Sequence, residues 1–197
     1  MIRKTFYVSW PITLAFTLLW LIVMFVLLRG RIFTTAPDAD TRWIRVTNDL
    51  YNFSIEYPNI WEAETYGEGG FRGASHIKLQ IFDTMLGNFR IFVSHQSAHV
   101  PSIQQAAEWG AERMKIRSEL LAQRGNMGAI EFGLWEDSIQ GQPVLRRRYG
   151  NEQFMFEDVY IARSSDMIII TLQSDTLEFD SYLDDFNRIV ASFEPLK

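Results

Sequence analysis

Residues 5–28 carry no charged side chain, a run of 24 between Lys4 and Arg29. A helix of that length is about 36 Å long, enough to cross a hydrocarbon core of roughly 30 Å. Tyr7 and Trp10 near one end, and Phe33 and Trp43 beyond the other, suit an interfacial aromatic belt. Pro11 falls in the first turn, where its missing N–H is harmless. A cleaved secretory signal has a shorter apolar core, roughly 7–15 residues, followed by a small-residue cleavage site. Here the core is longer, and the nearest such site, Thr34-Thr35-Ala36, is followed by Pro37. The expectation is an uncleaved single-span anchor over residues 1–29. Trp20 and the Leu, Ile and Phe side chains around it are the groups such a span offers to neighbouring helices. With no Gly-x-x-x-Gly and no charge, association there rests on shape packing. Arg3 and Lys4 on one side, against Arg29, Arg31, Arg42 and Arg45 on the other, leave the orientation undecided.

The charge balance divides the chain at the same place. From Ile32 onward there are 15 Lys and Arg against 24 Asp and Glu, a net of −9. An acidic domain of this kind lacks the basic face that a general nucleic-acid binder needs. The absence of cysteine removes disulfides, thiolate nucleophiles and Cys-based metal sites from consideration. Residues 30–42 read as a tether that reaches at most about 45 Å when extended, which keeps a domain over 43–197 near the membrane surface.

Within that domain the hydrophobic period alternates between two and 3.6. Phe53, Ile55 and Tyr57 alternate with polar residues and predict a half-buried strand over 52–57, ended by Pro58. Further strands are expected over 61–66, 76–83 and 89–95, with a glycine-rich hairpin tip at 67–73. A helix is expected over 101–124. Ile103, Ala107, Gly110, Met114 and Leu121 form one stripe, and Trp109, Ile116 and Leu120 an adjacent one. Strands resume over 129–135, 143–149, 154–162 and 167–173. A final helix over 176–193 carries Phe179, Tyr182, Leu183, Phe186, Ile189, Val190 and Phe193 as a wide apolar stripe. Short turns join antiparallel strands, so the class is α+β, an antiparallel sheet with helices packed on it. Phe53, Ile55, Tyr57 and Trp61 are expected to pack against Phe186, Ile189, Val190 and Phe193.

Two local signatures sharpen this class. The segment Tyr51-Asn-Phe-Ser-Ile-Glu-Tyr-Pro-Asn-Ile-Trp61 resembles the opening of the PsbP-like family, an aromatic residue followed by x-Phe-Ser-x-x-Tyr-Pro-x-x-Trp. The ending Phe186-Asn-Arg-Ile-Val-Ala-Ser-Phe193 is similar to the close of that family's last helix. The resemblance covers about residues 45 to 195. It implies an antiparallel sheet sandwiched by helices, and a non-enzymatic accessory or binding module facing a lumen, periplasm or cell exterior, with no cofactor. The retained N-terminal anchor departs from plant-type members, which carry a cleaved transit sequence.

Candidate chemistry is sparse. His95 and His99 stand four apart and are the candidate metal ligands, set against ordinary strand-end and loop histidines. The 67–73 loop leads into a strand, so it is no phosphate cradle; Phe71 and Arg72 at its tip are candidates for touching lipid or a partner. Arg146, Arg147 and Arg148 form a basic run on a strand. It reads either as a solvated sheet edge balanced by Glu136, Asp137, Glu152 and Glu157, or as a docking stripe for an acidic partner or lipid headgroups. Ser94-His95 lacks a nucleophile elbow, and Asp184-Asp185 reads as solvated. The expected role is a membrane-anchored, non-enzymatic accessory subunit or assembly factor of a larger membrane complex. A tethered ligand- or metal-binding domain is the alternative.

Overall fold

A computed structural model describes residues 41–72, 74–83, 89–96, 102–123, 125 and 127–196, together with Trp20. Among these residues no helix is long and apolar enough to cross a membrane. Apart from Trp20, the expected anchor lies outside the described residues, as does the tether as far as residue 40. The strands all fall in the unit Ala36–Lys197.

Alternating residues build β1 (Trp43–Asn48) and β2 (Phe53–Pro58), an antiparallel hairpin with Val46 opposite Ile55. The short strand β10 (Glu194–Pro195) pairs with the other edge of β2 and completes a three-stranded sheet. The second sheet has seven strands: β3 (Glu62–Thr65), β4 (Ile77–Phe82), β5 (Phe89–Gln96), β6 (Ile130–Ile139), β7 (Gln142–Gly150), β8 (Phe154–Ala162) and β9 (Met167–Asp175). Their order in space is β3-β4-β5-β9-β8-β7-β6, antiparallel throughout. The helix α1 (Ile103–Gln123) carries the chain from β5 to the far edge at β6. Three hairpins then walk back until β9 pairs with β5. The tightest is the two-residue turn Gln140-Gly141. Both residues have positive φ (51° and 81°), the twist that matches the flanking strands.

Strand alternation gives the large sheet two different faces. One is covered by α1, which rests on Leu145, Tyr160, Met167 and Ile169, and further along on Tyr149 and Phe156. Gly110 permits the close approach: a Cβ there would sit 2.6 Å from the Tyr160 hydroxyl. The other face is covered by the small sheet, a 3-10 turn (Phe179–Tyr182) and the helix α2 (Leu183–Ala191). Phe53, Ile55, Trp61, Phe186, Ile189, Val190 and Phe193 are all buried there in one cluster, with Tyr57 packed against its margin. Burying each such side chain is worth roughly 1.5–3 kcal/mol, so this layer is the main cohesive term.

Several sequence expectations are corrected. The last helix does not span 176–193, because the Glu178 N–H bonds back to the Asp175 carbonyl and the chain turns as a 3-10 segment before α2 begins. Both helix types stack their apolar residues on one side, so the stripe looks continuous in sequence. Trp43 is not a belt residue. It opens β1, packs against the core and lies 3.9 Å beneath the Arg188 guanidinium. Arg45 likewise sits in β1 and bridges Glu56 (3.1 Å) and Glu194 (2.7 Å). The sixth strand runs on to Ile139, beyond the expected end at Trp135.

Candidate functional site

The basic run on β7 is interior and not at an edge. β7 lies between β6 and β8, and Arg146 and Arg147 are buried. Arg146 pairs with Glu157 (2.8 Å) and Asp137 (2.8 Å) and donates to the Asn187 amide oxygen (2.8 Å). Arg148 grips the other Glu157 oxygen through Nε (2.9 Å) and Nη2 (2.6 Å). Arg147 points to the α1 face, where it donates to the Ala107 carbonyl (2.9 Å) and meets Glu131 (3.1 Å). Buried charges persist only when paired, and these pairs close the interior. The solvated-edge reading is therefore overturned, and Arg146 and Arg147 do not form an exposed docking stripe. Arg148 keeps partial exposure beside Trp135.

Beside Glu157, Asp158 faces α1 and is fully buried. Its carboxylate accepts hydrogen bonds from Tyr149 (3.0 Å), Tyr160 (2.8 Å) and Thr171 (2.6 Å). The Arg117 guanidinium stands 3.9 Å away and donates to the Tyr149 hydroxyl. Burial alone would push the carboxyl's pKa up. Arg117, Arg113 and the hydroxyl donors outweigh it and hold Asp158 below the usual carboxylate range. The same burial, with the Asp158 charge, pushes both tyrosines up.

Above this polar floor a cleft of about 410 Å³ opens between α1 and the end of the β4–β5 hairpin. Trp109, Arg113, Ile116, Arg117 and Leu120 line one wall at i, i+4, i+7, i+8 and i+11, and His76 and Gln96 line the other. The second stripe expected on this helix therefore exists. Its Ile116 and Leu120 remain about half exposed, at 49% each. Arg113 lies 4.8 Å over the Trp109 ring, and among the described residues it has no carboxylate partner within bridging distance. Partial withdrawal from water, then the cations Arg113, Arg117 and Lys78, lowers the His76 pKa and disfavours the charged imidazolium.

The other sequence candidates lie elsewhere. His95 bonds to Asp166 (3.1 Å), which Arg163 also holds, and its ring packs 4.7 Å from Tyr51. His99 lies outside the described residues, and among those described no group of three or more His, Asp or Glu side chains is placed to hold a metal ion. Phe71 folds back onto Tyr66 (5.4 Å) and Phe92 (6.4 Å), leaving Arg72 exposed at the tip. Trp20 is exposed. One apolar surface escaped the sequence reading. The edge strand β6 exposes Ile130, Phe132, Leu134 and Trp135 by 37% to 61%.

No family model matches the sequence, and no curated protein matches it. Solved structures match in fold. The chain is similar to cyanobacterial PsbP (CyanoP) from Synechocystis sp. PCC 6803, with a TM-score of 0.61 and 16% identity over 82% of this chain and 98% of that one. It is more distantly similar to LpqN, involved in cell envelope biogenesis of Mycobacterium tuberculosis, with a TM-score of 0.48 and 11% identity over 81% and 94%. The fold is PsbP-like, α+β with antiparallel sheets and few helices. At these identities the likeness extends to the fold and no further.

Proposed function

We propose that this protein is a non-enzymatic interaction module that an N-terminal span holds at a membrane, on its extracytoplasmic side. It serves there as an accessory subunit or assembly factor of a larger membrane complex. The observation that carries the reading is β6, a ten-residue edge strand with four large apolar side chains in water. Soluble proteins usually blunt such edges, and an unblunted one is a template for pairing with another chain. The acidic residues of β6 do not protect it fully, because Glu131 and Asp137 are engaged by Arg147 and Arg146 of the neighbouring strand. The best-formed ionic groups, Glu157 and Asp158, are buried and matched by internal partners, as suits a scaffold. The uncharged run over residues 5–28 and the PsbP-like fold support the same role.

The partner is a protein of the complex, reached by two weak tethered contacts whose combination gives avidity. Gentle detergent extraction at native expression, followed by sizing, tests this. The full chain is expected to co-migrate with larger partners, and Phe132→Asp with Leu134→Asp to abolish co-migration without lowering thermal stability. A wild-type chain that migrates alone would overturn the proposal.

A further inference from the structure

We propose that the cleft beside Trp109 and Arg113 binds a small organic anion with an apolar body, an aryl or alkyl carboxylate or sulfonate. The inference goes beyond the docking role of β6 and uses other residues.

The cation comes first. Asp158 supplies one negative charge beneath the cleft, and Arg117 already stands against it at 3.9 Å. Arg113 acts on the same carboxylate from farther off, and among the described residues no carboxylate lies within bridging distance of it. The acids of its own helix, Glu108, Glu112 and Glu119, lie about 100–140° round the axis from it at 3.6 residues per turn. His76 lines the opposite wall, and partial burial and the nearby cations lower its pKa, which disfavours its charged form. Among the described residues two guanidiniums, Arg113 and Arg117, therefore share the one Asp158 carboxylate, an excess of positive charge in a domain whose overall balance is acidic. The Arg113 guanidinium stands 4.8 Å over the Trp109 ring, and its fork of N–H donors suits a planar carboxylate.

The apolar wall comes second. Ile116 and Leu120 project from the same helix face and stay half exposed, although neighbouring Leu121 is buried against Tyr149 and Phe156. A volume of about 410 Å³ falls within the range of small-molecule sites. Inorganic phosphate would satisfy Arg113 and leave that wall wet. A neutral hydrocarbon would cover the wall and leave Arg113 unmatched. An amphiphilic anion satisfies both.

Calorimetric titration of the detergent-solubilised full chain, blanked against empty micelles, tests the proposal with three probes: naphthoate, its uncharged isostere naphthamide, and inorganic phosphate. Naphthoate is expected to bind at least about tenfold more tightly than either of the others, the margin of one charge-assisted hydrogen bond. Arg113→Gln is expected to remove that advantage over naphthamide, and Leu120→Ser to weaken naphthoate while leaving phosphate unchanged. Equal binding of naphthoate and naphthamide, phosphate binding as tight as naphthoate, or an unaltered Arg113→Gln titration would each overturn it. If a variant fails to fold, the three-probe comparison on the wild-type chain still decides.

Discussion

Glu157 and Asp158 are neighbours in β8, and strand alternation sends them to opposite faces of one sheet. Both are buried carboxylates, yet their surroundings differ in kind. Glu157 lies between two guanidiniums from the adjacent strand, under a layer closed by Phe179 and Phe186. Asp158 is satisfied by three hydroxyls, with its cations, Arg117 and Arg113, on a separate helix. An ion clamp built within the sheet lets the covering layer be apolar and continuous. A hydroxyl-lined carboxylate draws arginines down from α1 and leaves a polar, accessible margin, which is the cleft. One face is organised for cohesion and the other for a surface.

That contrast can be broken by substitution. The largest loss is expected on the closed face. Phe186→Ala removes a fully buried ring and should cost about 3–5 kcal/mol in urea unfolding. A loss under about 0.5 kcal/mol, the range of a surface site, would mean that α2 does not close the core. Glu157→Gln should follow at about 3 kcal/mol, because Arg146 and Arg148 lose the carboxylate they share. A near-neutral thermal melt for this variant would remove the clamp from the account. On the open face Tyr160→Phe deletes one of three donors to Asp158 and should cost only about 1 kcal/mol. A cost as large as that of Glu157→Gln would make the two faces energetically alike.

The smallest effect is a pH dependence with opposite signs on the two faces. Asp158 has a lowered folded pKa. Its contribution is present above the unfolded value of roughly 3.9 and is lost as pH falls through the folded one. Asp185 on α2 is pushed up to about 6, by burial and then by Asp184. Its contribution is present below roughly 3.9 and is lost as pH rises through about 6. Asp185→Asn should therefore flatten the decline in stability between pH 4 and 6 and leave the acid limb unchanged. Chemical denaturation across that range reads both limbs. A decline that persists in Asp185→Asn would assign it to another group.

Much of the fold was legible locally. Alternation in β2, β4, β5, β8 and β9 and the α1 period are written in neighbouring residues, and the apolar stripes they define, Phe53 and Ile55 on one side and Phe186 and Ile189 on the other, meet in one cluster. The candidate site was only half legible. Trp109, Ile116 and Leu120 could be read as a stripe, but whether a stripe is covered depends on where a helix lands on its sheet. Asp137 and Glu157 were legible as counter-charges of Arg146, but that β7 lies inside the sheet and buries Arg146 depends on which strands become its neighbours. His95 looked like a ligand because its partner Asp166 is 71 residues away. β1 was missed because Trp43 and Arg45 read as membrane flanks.

The sequence by itself determined the uncharged N-terminal run, the acidic balance of the domain, the α+β class and the residues of the apolar layer. These follow from periodicity and charge, which are local and additive. The tertiary structure decided that β7 is interior, that β6 is the exposed edge, and that Arg113 and Arg117 share one carboxylate beside an open apolar wall. Those outcomes depend on which strands become neighbours. Here β9 returned to β5, so β6, laid down at the end of the α1 crossover, was left at the rim, with one side unpaired among the described residues.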